Sequence, residues 1–329
     1  MTLRPISPWR LAAAYMLDLV AGDPAWFPHP VRVMGKTITA GERLLRTSPS
    51  SPPREAAQGA ALSVAVISGV WAAAAALLRL WGKTGPRYAA LLEIALAWTT
   101  LATRNLLQEA GSVLDALDAG DLPLARRRLS RIVGRDTAQL GEAEIARAVI
   151  ETAAESACDG IVAPLTWLAI GGVPLAFAYK AVNTLDSMIG HPEPPYTHFG
   201  RFAARFDDAA NYGPARLTAL SIIGAALLTG HDAESAWHTW LRDGGKHASP
   251  NAGQSEAAMA GALGVRLGGV NRYDGKTVSR PWLNPAGCRA SRKEARASLR
   301  IVATASALAC GAAFLFGVWI EKRRRTALL

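Results

Sequence analysis

The sequence has few cysteines and no motif that would pair them. Its 329 residues include three cysteines, Cys158, Cys288 and Cys310, and none belongs to a CxxC or a Cys/His pair. This excludes a disulfide-built scaffold and a zinc-finger fold. The consensus GxxxxGK[ST] is also absent. The chain is therefore not a nucleotide-binding protein of the Walker A type.

Charged residues are scarce too, at 19% of the chain, while hydrophobic residues make up 50%. The formal net charge is +10, yet the mean hydropathy is positive, at +0.14. A disordered tail or a nucleic-acid-binding tail combines high charge with low apolar content, and this composition excludes both. We expect no nucleic-acid partner, and the apolar residues must be concentrated in particular segments.

Three segments contain no charged residue at all: 56–78, 160–179 and 301–320. Twenty residues in a helix, at about 1.5 Å each, match the ~30 Å hydrocarbon core of a bilayer. The sequence therefore predicts an all-α, polytopic integral membrane protein with the lipid bilayer as a permanent partner. The full spans are expected at about 56–81, 86–107 and 301–320.

The run 160–179 is interrupted by Gly171-Gly172-Val173-Pro174, and this combination stops a regular helix. Two interpretations stay open: a kinked single span, or a re-entrant pair of half-helices at about 161–170 and 174–182. The re-entrant form, with a half-penetrating segment at 217–230, would bring polar clusters on either side of these runs to one membrane face. The functional site would then lie on these re-entrant or interfacial helices and on the long polar loops between them.

The segments outside the apolar runs are polar. Residues 46–55, RTSPSSPPRE, form a Ser/Pro-rich linker. No internal repeat divides the rest, so the chain is interpreted as one membrane-embedded domain over 1–329. Basic residues flank the last run on both sides, at 289–300 before it and as KRRR at 322–325 after it, so the positive-inside rule alone leaves the orientation open. Because long loops count less in this rule, we expect a cytoplasmic C-terminus.

Polar clusters lie beside these runs, and the first is DPAWFPHPVR. Its three prolines stiffen the backbone and present Asp23, His29 and Arg32 just outside the membrane. A simple interfacial turn is the alternative. In the second cluster, a helix from about 142 would place three carboxylates at i, i+4 and i+8 on one stripe. They are Glu151, Glu155 and Asp159.

Three carboxylates on one stripe repel each other unless a cation neutralises them. Mg²⁺ is a natural choice, because it takes a few carboxylates together with phosphate oxygens. A solvated acidic face is the alternative. Arg135 precedes this helix, in RIVGRD, and suits either a phosphate clamp or a contact with lipid headgroups.

The remaining clusters offer further oxygen donors and cations. In KAVNTLDSMIGH, one helical turn separates each of Lys180, Asn183 and Asp186, which suits a phosphate and its metal; a polar helix cap is the alternative. The cluster FDDAANYGPARL places hard oxygen donors within one turn: Asp207, Asp208 and Asn211. A Gly/Pro loop before a helix that opens at Glu256 suits an anion and contains Lys246, Ser249 and Asn251.

Taken together, these clusters resemble the integral-membrane adenosylcobinamide-phosphate synthases of cobalamin biosynthesis, the CobD/CbiB family. The similarity covers nearly the whole chain. The motifs that carry it are GDPAWFPHPVRVMG at 22–35, IVGRDT at 132–137, ETAAESACDG at 151–160, APLTWLAIGGVPLAFAYKAVNTLDSM at 163–188, FDDAANYGPARL at 206–217 and SPNAGQSEAAMAGALGVRLGG at 249–269. The chain departs from the family pattern at Ser156, His191 and Gln254-Ser255.

The resemblance implies an ATP-dependent acid–amine ligase. Such an enzyme joins the amino group of (R)-1-amino-2-propanol O-2-phosphate, or of a related amino alcohol, to the propionate of adenosylcobyric acid. The product is adenosylcobinamide phosphate. Mg²⁺, ATP as co-substrate, the corrinoid and the aminopropanol phosphate are then the expected ligands, and other membrane enzymes of late cobalamin assembly are expected partners. A site that uses ATP should face the cytoplasm from the cell (inner) membrane.

On this interpretation the candidate residues fall into three groups. Those expected to be catalytic are Glu151, Glu155, Asp159, Lys180, Asn183 and Asp186. Those expected to bind substrate or phosphate are Asp23, His29, Arg32, Arg135, Lys246, Ser249 and Asn251. Those expected to hold metal are Glu151, Glu155, Asp207, Asp208 and Asn211.

Two other functions are weighed against the ligase. A CDP-alcohol phosphotransferase needs an Ala-Arg pair shortly after an Asp-Gly pair, and here Asp159-Gly160 is followed by IVAP. A membrane transporter of a corrinoid or phosphorylated small molecule is the alternative function, with the break at 171–174 as a midplane binding site. Such a transporter would show inverted-repeat hydropathy, which this sequence does not display.

Overall fold

The computed structural model describes residues 4–24, 28–46 and 50–326, with the side chain of Arg325 left aside. Helix accounts for 74% of it. The helices are α1 (Pro8–Ala21), α2 (Pro30–Leu45), α3 (Pro52–Trp81), α4 (Pro86–Trp98), α5 (Thr103–Asp118), α6 (Leu122–Leu129), α7 (Glu142–Ala157), α8 (Ala163–Ile189), α9 (Arg201–Leu228), α10 (Ala233–Asp243), α11 (Ala252–Leu263) and α12 (Arg292–Thr326). A 3₁₀ turn, Gly82–Thr84, follows α3, and a π-helical turn, Cys158–Val162, joins α7 to α8.

Proline and aspartate define where many of these helices begin. The first four helices all have proline at their first turn, where its fixed φ suits a helix and its missing N–H is not needed. Asp121 caps α6, because its side chain accepts a hydrogen bond from the Leu124 N–H at 2.8 Å. The Ser/Pro-rich linker is shorter than predicted, since α3 already begins at Pro52; residues 47–49 of it lie outside the described residues.

Three helical stretches are long and apolar enough to cross a membrane: Pro52–Thr84, Glu142–Ile189 and Arg292–Arg324. They contain the three charge-free runs, which supports the prediction of a helical membrane protein. The segment predicted as a span over 86–107 differs. There α4 ends at Trp98 after 13 residues, about 20 Å of helix, and a new helix starts at Thr103.

The predicted break in the second stretch is confirmed at Gly172. Its φ of 72° and ψ of −166° are non-helical, and Pro174 follows inside α8. The carbonyl of Arg4 approaches Gly172 so closely that a Cβ there would overlap it. Whether the two halves of α8 form a re-entrant hairpin stays a prediction.

Contacts within the chain divide it into two compact units. Unit 1 comprises Met1–Ala102, Ala163–Asn211 and Ala312–Leu329. Unit 2 comprises Thr103–Val162 and Tyr212–Gly311. Fully buried side chains of unit 1 are Ile6, Leu11, Ile38, Leu165, Leu168 and Phe199, and those of unit 2 are Leu114, Leu129, Ile145, Ile150, Ile161 and Met259.

A β-hairpin in unit 2 is the element that the all-α prediction missed. Strand β1 (Leu267–Tyr273) pairs antiparallel with β2 (Lys276–Leu283). The two turn residues, Asp274 and Gly275, both have positive φ, as a type I′ turn requires. Helix α11 begins at Ala252, one turn before the predicted start at Glu256, and ends at Leu263, where the left-handed Gly264 forms its C-cap. Gly268 and Gly269 belong to the hairpin, which packs against α7 and α11.

Candidate functional site

The best-defined polar centre of unit 2 is built around Glu151 on α7. Its Oε2 lies 2.5 Å from Nη2 of Arg135, and its Oε1 accepts a hydrogen bond from the Gly268 N–H at 2.7 Å. Both side chains of the ion pair are more than nine-tenths buried. Burial lowers the pKa of Arg135, but the Glu151 carboxylate outweighs it and raises that pKa above its ordinary value. Both carboxylate oxygens of Glu151 therefore have partners.

A second arginine, Arg147, joins this centre from one helical turn before Glu151. Its Nε lies 4.0 Å from Glu151 Oε1. Its Nη2 donates to the Val270 carbonyl at 3.1 Å and to Asn271 Oδ1 at 3.0 Å. Asn271 Oδ1 also accepts from Arg135 Nη1 at 2.9 Å. The hairpin thus fixes both guanidinium groups beside one carboxylate.

In this arrangement the charge of Glu151 does not by itself require a metal. Arg135 and Arg147 already supply two cations to Glu151. The other two members of the stripe lie in different surroundings: Glu155 is exposed, and Asp159 belongs to the π-helical turn, where the helical register changes. The three carboxylates therefore do not share one environment.

Glu256 on α11 is a buried carboxyl that faces the same region. It is 4% exposed, and α11 packs against α7. Burial first, and then repulsion from Glu151 and Glu155, raise the pKa of Glu256 well above its ordinary value. Arg280 and Arg135 oppose this more weakly. Glu256 can therefore hold a proton at a pH where an exposed glutamate is ionised.

The loop before α11 is organised by Asp243, which is fully buried. Its carboxylate accepts hydrogen bonds from Arg242, from Lys246 Nζ at 2.6 Å and from the Asn284 N–H at 2.7 Å. Burial alone would raise the pKa of Asp243, but these donors lower it far below its ordinary value. Lys246, predicted to contact phosphate, is thus paired with Asp243 in this structure.

The other predicted residues of this loop also have structural partners. Ser249 Oγ accepts from the N–H groups of Asn251 and Ala252 at 3.2 and 3.3 Å, which caps the start of α11. The Ser249 N–H donates to His247 Nδ1 at 3.0 Å. Asn251 is buried at the helix start. Burial and the nearby Arg280 lower the pKa of His247, so its imidazole is neutral at physiological pH.

Gln254, one of the departures from the family pattern, has a clear structural role. Its Nε2 donates to the carbonyls of Gly244 and Pro250, at 3.0 and 3.1 Å. Its Oε1 accepts from Trp240 Nε1 at 2.8 Å. Gln254 therefore braces the loop against α10 and α11. Nothing in the structure explains the departures at Ser156 and His191.

In unit 1, the first polar cluster lies in the sequence between α1 and the first turn of α2. His29 Nδ1 accepts from the Val31 N–H at 3.3 Å and so caps α2. Its Nε2 lies 3.3 Å from Asp23 Oδ1, and both side chains are largely buried. Arg32 is exposed in the first turn of α2. Residues 25–27 of this cluster lie outside the described residues.

The other polar centre of unit 1 lies where α8 meets the start of α9. Tyr179 donates its hydroxyl to Asn211 Oδ1 at 2.9 Å, and Asn211 Nδ2 donates to Asp207 Oδ2 at 3.0 Å. Asp186 is close enough to Asp207 and Asp208 for their charges to interact. Partial burial raises the pKa of Asp208. Two predicted clusters are thus brought together here.

On α8, Asn183 lies about one turn and Lys180 about two turns before Asp186, and both are half-buried. The structure therefore groups Lys180, Asn183, Asp186, Asp207, Asp208 and Asn211 in unit 1. It places Arg135, Glu151, Glu155, Asp159, Lys246, Ser249 and Asn251 in unit 2.

Both polar centres contain carboxylates, whose oxygens are the donors that Mg²⁺ prefers. In unit 1 these include Asp207 and Asp208, which are adjacent on α9. Glu151 fits the ion less well, because both of its oxygens already accept strong hydrogen bonds. Within the part of the chain that the structure describes, no three His, Cys, Asp or Glu side chains stand at metal-binding spacing.

Several residues of the unit 2 centre were not predicted. Arg147 had a signal in the sequence, since it stands exactly one turn before Glu151 on the same helix. The Asp274-Gly275 pair, flanked by strand-forming residues, was the signal for the hairpin. Asn271, His247, Arg280 and Glu256 had no such local signal, because only the packing of the hairpin and α11 brings them near α7.

The chain was compared with known proteins. A family model described as CobD/Cbib protein matches residues 11–302. The cobalamin biosynthesis protein CobD of Geobacter metallireducens is 50% identical over 268 residues, 82% of this chain and 83% of that protein. CobD of Citrobacter koseri and CbiB of Salmonella typhimurium are 45% and 43% identical over 296 residues, 90% of this chain and 93% of each relative. No solved structure matches the chain significantly. With a family model and relatives that cover most of its length, the chain belongs to the CobD/Cbib family.

Proposed function

We propose that this protein is an ATP-dependent amide synthase of cobalamin biosynthesis. The observation that carries the proposal is the family match over residues 11–302, supported by curated relatives named for cobalamin biosynthesis. The reaction joins the propionate of adenosylcobyric acid to the amino group of (R)-1-amino-2-propanol O-2-phosphate, or of a related amino alcohol. The product is adenosylcobinamide phosphate.

The chemistry needs activation, because a carboxylate does not react with an amine at neutral pH. Transfer of the γ-phosphoryl group of ATP to the propionate oxygen gives an acyl phosphate and ADP. The neutral amine then attacks the acyl carbon, the C–N bond forms, and phosphate leaves with one of the original carboxylate oxygens. The ammonium form of the amine must lose its proton before this attack.

The polar centres contain groups suited to each step. Phosphoryl transfer depends mainly on positioning and on neutralising negative charge. Lys180 in unit 1 and the Arg135–Arg147 pair in unit 2 are cations of the required kind. Glu256, whose pKa is raised by burial, is a group that can accept and hold the proton of the ammonium.

Mg²⁺ would be held in unit 1 by Asp207 and Asp208, with the phosphate oxygens of ATP as further ligands. When bound, it neutralises the phosphate oxygens of ATP. Asn211 would then orient Asp207, because its amide donates to that carboxylate. Glu151 and Glu155, also predicted as ligands, belong to unit 2, and Glu151 acts there by holding Arg135.

We also propose a location for the protein, and the apolar helices and the use of ATP support it. Three helices suited to crossing a bilayer support a multi-pass protein of the cell (inner) membrane. We propose that the site faces the cytoplasm, where ATP is available, and that other membrane enzymes of late cobalamin assembly are neighbours. The corrinoid and the aminopropanol phosphate are the proposed substrates.

The test uses purified full-length protein in lipid nanodiscs with adenosylcobyric acid, MgATP and each candidate amine. Mass spectrometry should detect the amide product only when ATP and an amine are both present. A transporter is the competing function, since the bend at Gly172 also suits a midplane binding site. ATP-independent corrinoid flux across proteoliposomes, without any amide product, would favour the transporter.

A further inference from the structure

A cavity of about 480 Å³ lies in unit 2, beside the buried Arg135–Glu151 pair but separate from it. Its walls come from the first turns of α7, from the hairpin, and from the segment before α12. The lining residues that matter are Arg147, Arg266, Trp282, Arg289, Glu142 and Glu144. A volume of this size is ordinary for a small-molecule pocket.

Positive charge dominates the cavity. The backbones of 264–266 and 287–288 are hydrogen-bonded, with the Arg266 N–H donating to the Cys288 carbonyl at 3.0 Å, and this brings Arg266 and Arg289 to one wall. Neither arginine forms an ion pair within the described ranges 4–24, 28–46 and 50–326. The two acidic residues are already engaged: Glu142 contacts Arg292 at 2.7 Å, and Glu144 accepts from the Gly141 N–H at 2.8 Å.

Arg147 supplies independent evidence that this cavity suits an anion. The residue is only 8% exposed, and its Nη1 is buried with no hydrogen-bond partner among the residues described. Its Nη2 is held by Val270 and Asn271, so the guanidinium cannot simply turn to satisfy Nη1. A buried guanidinium N–H normally finds an acceptor. An anionic oxygen at the cavity wall would provide one.

The indole of Trp282 keeps two of these arginines in place. The guanidinium carbons of Arg266 and Arg147 lie 5.0 and 5.7 Å from its ring centroid. The ring packs on Gly269, whose φ is 76° and where a Cβ would overlap the indole. The cationic wall is therefore preorganised before any ligand arrives.

We propose that this cavity binds the phosphoryl group of a substrate, through Arg147, Arg266 and Arg289. Planar guanidinium groups bind phosphate oxygens in pairs, and three of them suit a dianionic monoester or a nucleotide. The inference rests on the proposed function for its two sources of phosphoryl groups, ATP and the amino alcohol phosphate. Both present the same chemistry to the arginines, and the experiment separates them.

The test measures binding by calorimetry on the full-length protein in nanodiscs, without turnover. The two probes are the β,γ-imido analogue of ATP with Mg²⁺, and 1-amino-2-propanol O-2-phosphate. Arg289→Gln and Arg266→Gln should each raise the Kd of at least one probe about 10- to 100-fold, as the loss of a charged hydrogen bond implies. The probe that is weakened identifies the source of the phosphoryl group.

Arg127→Gln is the matched control, because Arg127 is an exposed arginine of unit 2 on α6, away from the cavity. It lowers the net charge equally and should leave both Kd values within twofold. Unchanged Kd values for both probes in Arg266→Gln and Arg289→Gln would overturn the inference, and so would equal weakening in Arg127→Gln. Product formation by wild-type protein is measured separately, so either proposal can fail alone.

Discussion

Arg135 and Glu151 form an ion pair that is buried on both sides, with their side chains 8% and 5% exposed. The second oxygen of Glu151 is taken by the Gly268 N–H, and the second Nη of Arg135 by Asn271. The Arg135–Glu151 ion pair therefore joins the loop before α7 to α7 itself. The hydrogen bonds to Gly268 and Asn271 join both of these segments to the hairpin. The pair organises the polar centre of unit 2.

Replacing Glu151 by Gln should destabilise the protein strongly. It leaves Arg135 as a buried charge without a counterion, which costs about 3–5 kcal/mol. Glu155→Gln is the matched control, since Glu155 is one turn further along α7 but exposed, and it should change stability by only about 0.5 kcal/mol. The free energy of unfolding in mixed micelles is the measurement. Similar losses in the two variants would show that the pair does not stabilise unit 2.

The buried Glu256 should make stability depend on pH. Its pKa in the folded protein lies above its ordinary value of 4.5. The unfolded chain releases this proton near pH 4.5 while the folded protein retains it, so the free energy of unfolding should fall as pH rises through this range. Glu256→Gln should remove that part of the slope and be more stable than wild type at pH 8.

Unfolding at pH 5, 6, 7 and 8 measures the effect of Glu256. Glu234→Gln serves as the control, because Glu234 is highly exposed on α10 and should leave the slope unchanged. Parallel curves for wild type and Glu256→Gln would mean that Glu256 titrates normally.

Lys180 is expected to contact a phosphate of ATP or of the amino alcohol phosphate. Lys180→Ala should raise the KM of that substrate, since a charged hydrogen bond contributes about 1.5–3 kcal/mol. Lys36→Ala removes one exposed lysine from α2 of the same unit and should leave both KM values unchanged. If Lys180→Ala behaves like Lys36→Ala, Lys180 has only a structural role on α8.

The bend in α8 requires glycine at position 172. Gly172→Ala places a Cβ on a residue with φ of 72° and against the Arg4 carbonyl, which should cost about 1–3 kcal/mol or more. Gly69→Ala, inside α3 with open space around it, should instead stabilise by about 0.5–1 kcal/mol. Thermal unfolding distinguishes the two variants, and a stabilised Gly172→Ala would contradict the structural need for the bend.

The helical part of the fold could be predicted from the sequence because its signals are local. Charge-free runs mark α3, α8 and α12, and Gly172 with Pro174 marks the bend. The predicted span over 86–107 was too long, since the apolar composition continues past Trp98 although α4 ends there. Amino-acid composition therefore shows where the apolar segments lie, but it does not show where each helix ends.

The site was harder to predict because its contacts are distant in the chain. Glu151 meets Gly268, which is 117 positions away, and Arg135 meets Asn271, 136 positions away. The acidic stripe on α7 was visible, but the cations that neutralise Glu151 depend on how the hairpin packs. The Asp274-Gly275 turn was readable from the sequence, whereas its docking against α7 was not.

The most direct test of the central claim follows oxygen through the reaction. Adenosylcobyric acid labelled with ¹⁸O in its propionate carboxylate is incubated with the protein, MgATP and the amino alcohol phosphate. We expect adenosylcobinamide phosphate and ADP, with one ¹⁸O atom in the released inorganic phosphate, as read by mass spectrometry. Product without label in phosphate, label in AMP, or no amide product at all would contradict activation of the propionate by the γ-phosphoryl group of ATP.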